Sequence, residues 1–219
     1  MAIPKTIYQT YSSSRLPVLT RWHVRNMRRR NPEYDYQFYD DDRVDDFIRN
    51  EYGGEVLGLY RRINIGAAKA DLFRYAVLYR RGGVYLDIDS LLVDSLDSFL
   101  APDDRAIISL ESNREHYVQW ALMYEPEHPF LAKTLDKVLG NLRVNRFPYN
   151  VHGMTGPGPY TLAIKECLNE MPGVAHRELG VDYTRHLKST YPMGKLFLYG
   201  LSRKNHWQTQ RQQSRPVIT

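Results

Sequence analysis

The chain is poor in cysteine. Cys167 is the single thiol in 219 residues. That excludes an intramolecular disulfide framework and a cysteine-based zinc site, and it fits a reducing compartment. Long apolar runs are missing too. No stretch approaches the roughly 18 residues that a membrane span needs, and the N-terminus has no signal-peptide core. A cytoplasmic chain is therefore expected. No RNA- or DNA-binding module signature is present, and the basic residues interleave with acidic ones, so no nucleic-acid partner is expected. A net charge of +5, from 30 Lys and Arg against 25 Asp and Glu, fits a nucleoside diphosphate ligand or peripheral contact with an anionic membrane surface. With 42% hydrophobic residues, the length suits one ordinary domain with a real core.

The most informative stretch is Gly82-Gly83-Val84-Tyr85-Leu86-Asp87-Ile88-Asp89. It reads as a tight turn feeding a short apolar strand that ends in two carboxylates. Side chains alternate along a strand, which would put Asp87 and Asp89 on one side. Two like charges that close repel unless a cation or hydrogen-bond donors lie between them. The pair suits a divalent metal with oxygen ligands, Mn²⁺ or Mg²⁺, which can carry a diphosphate. An isolated Asp-x-Asp is more often a strand end and turn start, so the flanks decide. Upstream, Ala67 to Arg81 has helical periodicity, with Leu72, Phe73, Ala76, Val77 and Tyr79 apolar. Asp71 and Arg74, three apart, share another face. They are either a surface ion pair of little worth or a second part of the same cleft, with forked donors from Arg and acceptors from Asp for sugar hydroxyls.

Along the rest of the chain, residues 3–11 read as a first strand, Leu16 to Arg30 as a helix stopped by Asn31-Pro32, and Tyr34 to Tyr39 as a second strand. Asp40-Asp41-Asp42 read as cap and first turn of a helix from Arg43 to Tyr52, ended by Gly53-Gly54. A short helix and loop follow over Val56 to Ile65, and a short strand and turn within Ser90 to Leu100. Ala106 to Leu110 and Trp120 to Tyr124 read as strands, Phe130 to Leu142 as a helix with His128 on the surface at its start. The run Asn150 to Pro159 is a rigid glycine-rich turn before a helix from Tyr160 to Asn169, where Gly156 and Gly158 would let backbone approach a ligand. Tyr191 to Met193 and Leu196 to Tyr199 are strand-like.

Ala70-Asp71-Leu72-Phe73-Arg74-Tyr75, followed at fixed distance by Gly82-Gly83-Val84-Tyr85-Leu86-Asp87-Ile88-Asp89, resembles the D-x-D glycosyltransferases of the sugar-binding-region family, glycosyltransferase family 32. Their core is shared with the clostridial glucosylating toxins. Ile3-Pro4-Lys5-Thr6-Ile7-Tyr8-Gln9-Thr10-Tyr11 resembles the family's opening strand, with Tyr8 in place of the usual His and Tyr11 in place of the usual Trp. The match spans about the first half of the chain. The resemblance implies an α/β, GT-A (Rossmann-like) single domain over 1–207, with a mixed central sheet flanked by helices and a polar flexible tail over 208–219. It implies a hexose moved, with retention, from a UDP- or GDP-sugar to an acceptor hydroxyl on a glycan, protein or lipid. Asp71, Arg74, Asp87 and Asp89 would be catalytic. Thr10, Tyr11, Asp71, Arg74, Tyr85, Asp87, Gly156 and Gly158 would bind substrate, Tyr11 by stacking on the base. Asp87, Asp89 and His206 would hold the metal, with His206 and Trp207 in a segment that closes over the donor. Eukaryotic relatives often carry an N-terminal anchor. Two rivals rank lower. A haloacid-dehalogenase-type phosphatase would use Asp87 and Asp89, but Leu91 replaces its usual Thr or Val and a later paired-Asp motif is missing. A basic nucleic-acid binder lacks a module.

Overall fold

The structure, a computed structural model, describes residues 2–192 and 216–219. In chain order the elements are β1 (Thr6–Thr10), α1 (Val18–Arg30), β2 (Asp35–Tyr39), α2 (Asp41–Arg62), α3 (Gly66–Arg81), β3 (Gly83–Leu86), β4 (Leu91–Leu92), β5 (Ala106–Leu110), β6 (Ala121–Tyr124), α4 (Pro129–Arg143), α5 (Val151–Met154), α6 (Pro157–Glu170), β7 (Arg177–Val181) and β8 (Leu187–Lys188).

Six strands form one sheet in the order β2-β1-β3-β6-β5-β7, and β4 pairs with β8 apart from it. β1 runs parallel to β2 and β3, and β5 parallel to β7, while β6 is antiparallel to both β3 and β5. The sheet is mixed, as expected. Period-two alternation splits its side chains between two cores. Tyr8, Tyr85, Leu122, Tyr124 and Ile108 pack on one face with α2, α3, α4 and α6. Ile7, Val84, Leu86, Met123 and Ile107 pack on the other with Met27 of α1. After β1 the chain adds β2 on one side, then returns to add β3 on the other. The order therefore reverses at β1, and an open α/β sheet has its binding crevice at such a point, beyond the carboxyl ends of the strands.

Local chemistry explains the joints. Asp40 caps α2, its carboxylate accepting from the Arg43 amide at 3.1 Å; the acidic triplet is a helix start, as its sequence suggested. Gly53, at φ +78°, breaks α2, but helix resumes through Arg62. α3 is buried almost all round from Ala68 to Leu78, so it is the central helix rather than a surface one. Its C-cap Gly82 has φ +63° and Gly83 has φ +105°, conformations that only glycine adopts cheaply. His128, expected at the surface, is 1% exposed. Its Nδ1 accepts from the Phe130 amide at 3.3 Å and its Nε2 pairs with the Ala175 carbonyl at 3.0 Å. It is a buried helix cap, and burial holds its pKa below the ordinary imidazole value.

The C-terminal expectation also needs correction. Residues 216–219 are docked, not loose. Val217 and Ile218 are buried in the helical core, and Ile218 bridges to Ile63. The Asn64 amide donates to the Val217 carbonyl at 2.8 Å. Tyr191 is not in a strand; its hydroxyl pairs with Thr20 at 2.8 Å and its ring stacks on His23 at 3.7 Å. The strand expected at 196–199 lies outside the described residues.

A methyl group at Gly83 would sit 2.7 Å from the Thr6 carbonyl oxygen, on a backbone with φ +105°. Gly83→Ala is expected to cost roughly 2–4 kcal/mol of stability, read as a lowered denaturation midpoint. An unchanged midpoint would contradict the tight β1–β3 approach.

Candidate active site

The Asp-x-Asp pair does not lie in the strand. β3 ends at Leu86, and Asp87 to Ser90 form a turn in which the Ser90 amide and hydroxyl donate to the Asp87 carbonyl at 2.9 and 2.7 Å. Strand alternation therefore does not orient the two carboxylates. The turn is held from several elements instead. The Asp87 amide donates to the Trp120 carbonyl at 2.8 Å, the Gln9 side chain to the Asp87 carbonyl at 3.2 Å, and the Tyr191 amide to the Asp89 carbonyl at 2.8 Å.

At the centre is Arg74, 4% exposed on α3. Its Nη2 meets Asp87 Oδ1 at 2.9 Å and Asp71 Oδ1 at 3.4 Å, and its Nη1 donates to the Gln119 carbonyl at 2.7 Å. The guanidinium carbon stands 4.7 Å from the centre of the Tyr85 ring, whose hydroxyl donates to Asp87 Oδ1 at 3.1 Å. Asp71, 5% exposed, takes the Gln119 amide on Oδ1 at 2.7 Å and the Thr155 hydroxyl on Oδ2 at 2.8 Å. Gln119 also donates to the Tyr75 hydroxyl at 2.7 Å, which donates on to the carbonyls of Thr155 and Gly156 at 3.2 and 3.3 Å. One guanidinium thus serves two carboxylates. Burial raises the pKa of Asp71 and of Asp87 above the ordinary carboxylate value, and Arg74 offsets part of that rise for each. For Arg74 itself, burial works against the charge, but Asp87, Tyr85 and Asp71 outweigh it and keep the group cationic.

This network forms part of the wall of a cavity of about 650 Å³ beyond the carboxyl ends of β1 and β3. Thr10, Tyr11, Asp71, Arg74, Tyr85, Asp87, Asp89 and Gly156 all line it. The Thr10 hydroxyl is tied to the Tyr39 carbonyl at 2.8 Å. Gly158 is not part of the lining. A Cβ at Gly156 or Gly158 would stand 2.9 or 3.0 Å from the backbone of His152. The close approach that these glycines allow is between α5 and the start of α6, and of the two only Gly156 also borders the cavity. Tyr85 positions Asp87 through its hydroxyl. His206 and Trp207 lie outside the described residues.

Sequence reasoning missed Gln119, Tyr75, Gln9 and Tyr191. Gln119 and Gln9 carry no local signal. Thr155 lies within the glycine-rich run from Asn150 to Pro159 and was within reach. Among the described residues no group of three or more His, Cys, Asp or Glu is placed to hold a metal ion. The donor set that is present is hard and anionic. Asp87 is about a quarter exposed to the cavity (28%), and among the described residues its Oδ2 has no hydrogen bond. A network short of positive charge and offering carboxylate oxygen fits Mg²⁺ or Mn²⁺, with other ligands left to water or to a bound phosphate.

A mixed Rossmann-like sheet, with an Asp-x-Asp turn beside the sheet's crevice, is the GT-A glycosyltransferase architecture. Comparison with known proteins agrees. Residues 17–106 match the family described as glycosyltransferase sugar-binding region containing DXD motif. The initiation-specific alpha-1,6-mannosyltransferase of Schizosaccharomyces pombe is 24% identical over 90% of this chain and 55% of its own length. The mannosyl phosphorylinositol ceramide synthase CSH1 of Saccharomyces cerevisiae is 31% identical over 71% of this chain and 40% of its own. The chain spans about half the length of the curated relatives it matches. The solved UDP-bound glycosyltransferase domain of the YGT toxin shares the fold, with a TM-score of 0.58 over 92% of this chain and 82% of that one at 10% identity.

Because Arg74 is buried and multiply bonded, Arg74→Lys is not conservative. A lysine keeps the charge but cannot serve Asp87, Asp71 and the Gln119 carbonyl together. The variant is expected to lose roughly 2–4 kcal/mol of stability and activity on the order of 100-fold, measured by chemical denaturation and by sugar transfer at a temperature where the variant is folded. Full specific activity in the folded variant would reduce Arg74 to a structural group.

Proposed function

We propose that this chain transfers a hexose from a nucleoside diphosphate sugar, UDP- or GDP-linked, to an acceptor hydroxyl, with retention and with a divalent cation. The observation that carries this reading is the Asp87 carboxylate, fixed by buried Arg74 and by Tyr85 on the wall of a large cavity at the crevice of the sheet. The names of the two yeast relatives favour mannose as the sugar and a glycan or lipid as the acceptor. A protein acceptor remains within the same chemistry. Tyr11, at the end of β1, would stack on the base, and Thr10 beside it would line the nucleoside end. Asp71 and Arg74 would orient the donor, since both border the cavity while anchored on α3.

Asp87, through the oxygen turned away from Arg74, and Asp89 would hold Mn²⁺ or Mg²⁺. That cation would neutralise charge on the departing diphosphate. In this reading His206, which lies outside the described residues, would complete the shell. The chain's own contribution is electrostatic preorganisation. The carboxylates are set by the fold before the donor binds, so little reorganisation accompanies leaving-group departure. Among the described residues, no helix is long and apolar enough to cross a membrane. The overall charge of +5 would favour contact with anionic headgroups.

Asp87→Asn tests the reading. It removes one of two carboxylates that compete for a single guanidinium, so the fold should hold, with a thermal midpoint equal or slightly higher. Release of hexose from UDP- and GDP-sugars at saturating Mn²⁺ should fall by at least on the order of 100- to 1000-fold. Near-normal turnover would remove Asp87 from the reaction.

A further inference from the structure

Charge is unevenly placed along this chain. Residues 1–32 carry seven basic residues and no acid, whereas residues 33–182 carry 25 acids against 16 basic residues. The first 32 residues therefore hold more positive charge than the whole chain's net +5. Five of those seven cations are the arginines of α1: Arg21, Arg25, Arg28, Arg29 and Arg30. The last three suit a helix C-terminus, but Arg21 stands in the first turn, where the helix dipole opposes a cation. Two of the five are used inside the molecule. Arg30 donates to the Val93 carbonyl at 2.9 Å, and Arg28 lies over the Tyr36 ring at 5.0 Å. The side chains of Arg21, Arg25 and Arg29 are exposed and make no hydrogen bond or ion pair among the described residues.

Those three arginines share a face with the wrong kind of neighbour for a solvated surface. α1 buries Thr20 and Met27. At 3.6 residues per turn, Val18, Trp22, Arg25 and Arg29 run in a line along the opposite side, with Arg21 beside them. Val18 is 73% exposed and Trp22 is 56% exposed. The outward face of α1 is thus apolar over its first turns and basic over the rest.

This face is joined to the site. Tyr11 and Ser12 on the cavity wall lead through a short loop into α1. On the inner side of the helix, Thr20 pairs with the Tyr191 hydroxyl at 2.8 Å and His23 stacks on the Tyr191 ring at 3.7 Å, while the Tyr191 amide donates to the Asp89 carbonyl at 2.8 Å.

The charge pattern says what covers the face. Residues 183–219 hold seven basic residues and no acid, so the chain's own C-terminal part is repelled by α1 rather than complementary to it. An anionic lipid surface meets all three features of the face. Guanidinium forks take phosphate and carboxylate oxygens, clustered arginines are drawn to an anionic leaflet, and an indole settles at headgroup level beside the acyl chains. A nucleic-acid backbone would meet the arginines and leave Val18 in water.

We infer that the outward face of α1 docks this chain on an anionic bilayer. Val18 and Trp22 enter the headgroup layer, Arg21, Arg25 and Arg29 meet lipid phosphates and carboxylates, and the Tyr11 edge of the cavity is held close to the membrane. The inference uses no residue of the donor site and does not depend on sugar transfer.

The test is co-sedimentation of the full chain with phosphatidylcholine vesicles, with and without about a third phosphatidylserine. The expected result is saturable, salt-sensitive binding at least tenfold tighter with phosphatidylserine. Trp22 should carry a blue shift of fluorescence on binding, seen in the unsubstituted chain and lost in Trp22→Phe. The triple variant Arg21→Gln, Arg25→Gln and Arg29→Gln should bind tenfold or more weakly. A control with Arg114→Gln, Arg146→Gln and Lys165→Gln removes as many exposed cations elsewhere and should bind within a factor of about two of the parent, because clustered charge rather than net charge drives docking. Equal affinity for the two vesicle compositions, an unchanged α1 triple variant, or an equal loss in the control overturns the inference. Tighter binding to a DNA duplex than to the phosphatidylserine vesicles, or self-association abolished by Trp22→Ser, overturns the lipid assignment in favour of a nucleic acid or a second copy. Hexose release from soluble UDP- and GDP-sugars without vesicles should be unchanged in the α1 triple variant, and a loss there would assign these arginines to the site instead of to a docking face. Vesicle binding by a chain that releases no sugar leaves the docking face standing and removes the transferase reading. Sugar release without vesicle binding does the reverse.

Discussion

The arrangement depends on one buried guanidinium. Arg74 reaches two carboxylates, two backbone carbonyls and the face of a tyrosine from the middle of the central helix. An arginine stripped of water is tolerable only when its donors are met and its charge is balanced. Those demands draw together chain segments far apart in sequence: α3, the Asp87 turn, the Gln119-Trp120 segment and, through Asp71, Thr155 at the end of α5. The same contacts that satisfy Arg74 shape the cavity wall. Structural need and the shape of the cavity are here a single requirement.

The balance is incomplete. Two carboxylates face one guanidinium, and burial lifts both above their ordinary titration range. The consequence for stability has a definite sign. A carboxyl that binds its proton more tightly when folded contributes stability at acid pH. That contribution is lost as pH rises from the unfolded carboxylate value through the raised folded one. At neutral pH the two carboxylates are therefore short of positive charge. Sites that carry such strain are common where charge must later be handled.

Much of this was legible in the sequence because the key residues are near one another in it. Asp71 and Arg74 are one helical turn apart, and Gly82-Gly83 must turn the chain back beside them into Val84 to Leu86. Tyr11 and Thr10 at the cavity follow from a first strand that could be read directly. What was not legible depended on tertiary context. Strand alternation put Asp87 and Asp89 on one side, but β3 stops one residue short and the pair lies in a turn bonded to Trp120, Gln9 and Tyr191. His128 reads as polar, yet the Ala175 carbonyl and the Phe130 amide satisfy its ring and allow burial. Gly158 looks like a ligand-facing glycine, but the backbone of His152 occupies the space beside it. The docking of Val217 and Ile218 depends on a groove near Ile63 that no local pattern announces.

The central claim is that the Asp87 turn is a cation and diphosphate site whose charge deficit is built into the fold. Calorimetric titration with nucleoside diphosphate and Mn²⁺, in buffers of different ionisation heat, tests it directly. Because burial raises these carboxyls above the ordinary carboxylate range, cation binding must expel protons as pH falls toward that raised range. The account predicts metal-dependent nucleotide binding with net proton release that grows as pH falls toward that range. Nucleotide binding that is equally tight without metal, or that releases no protons anywhere in that range, would contradict it.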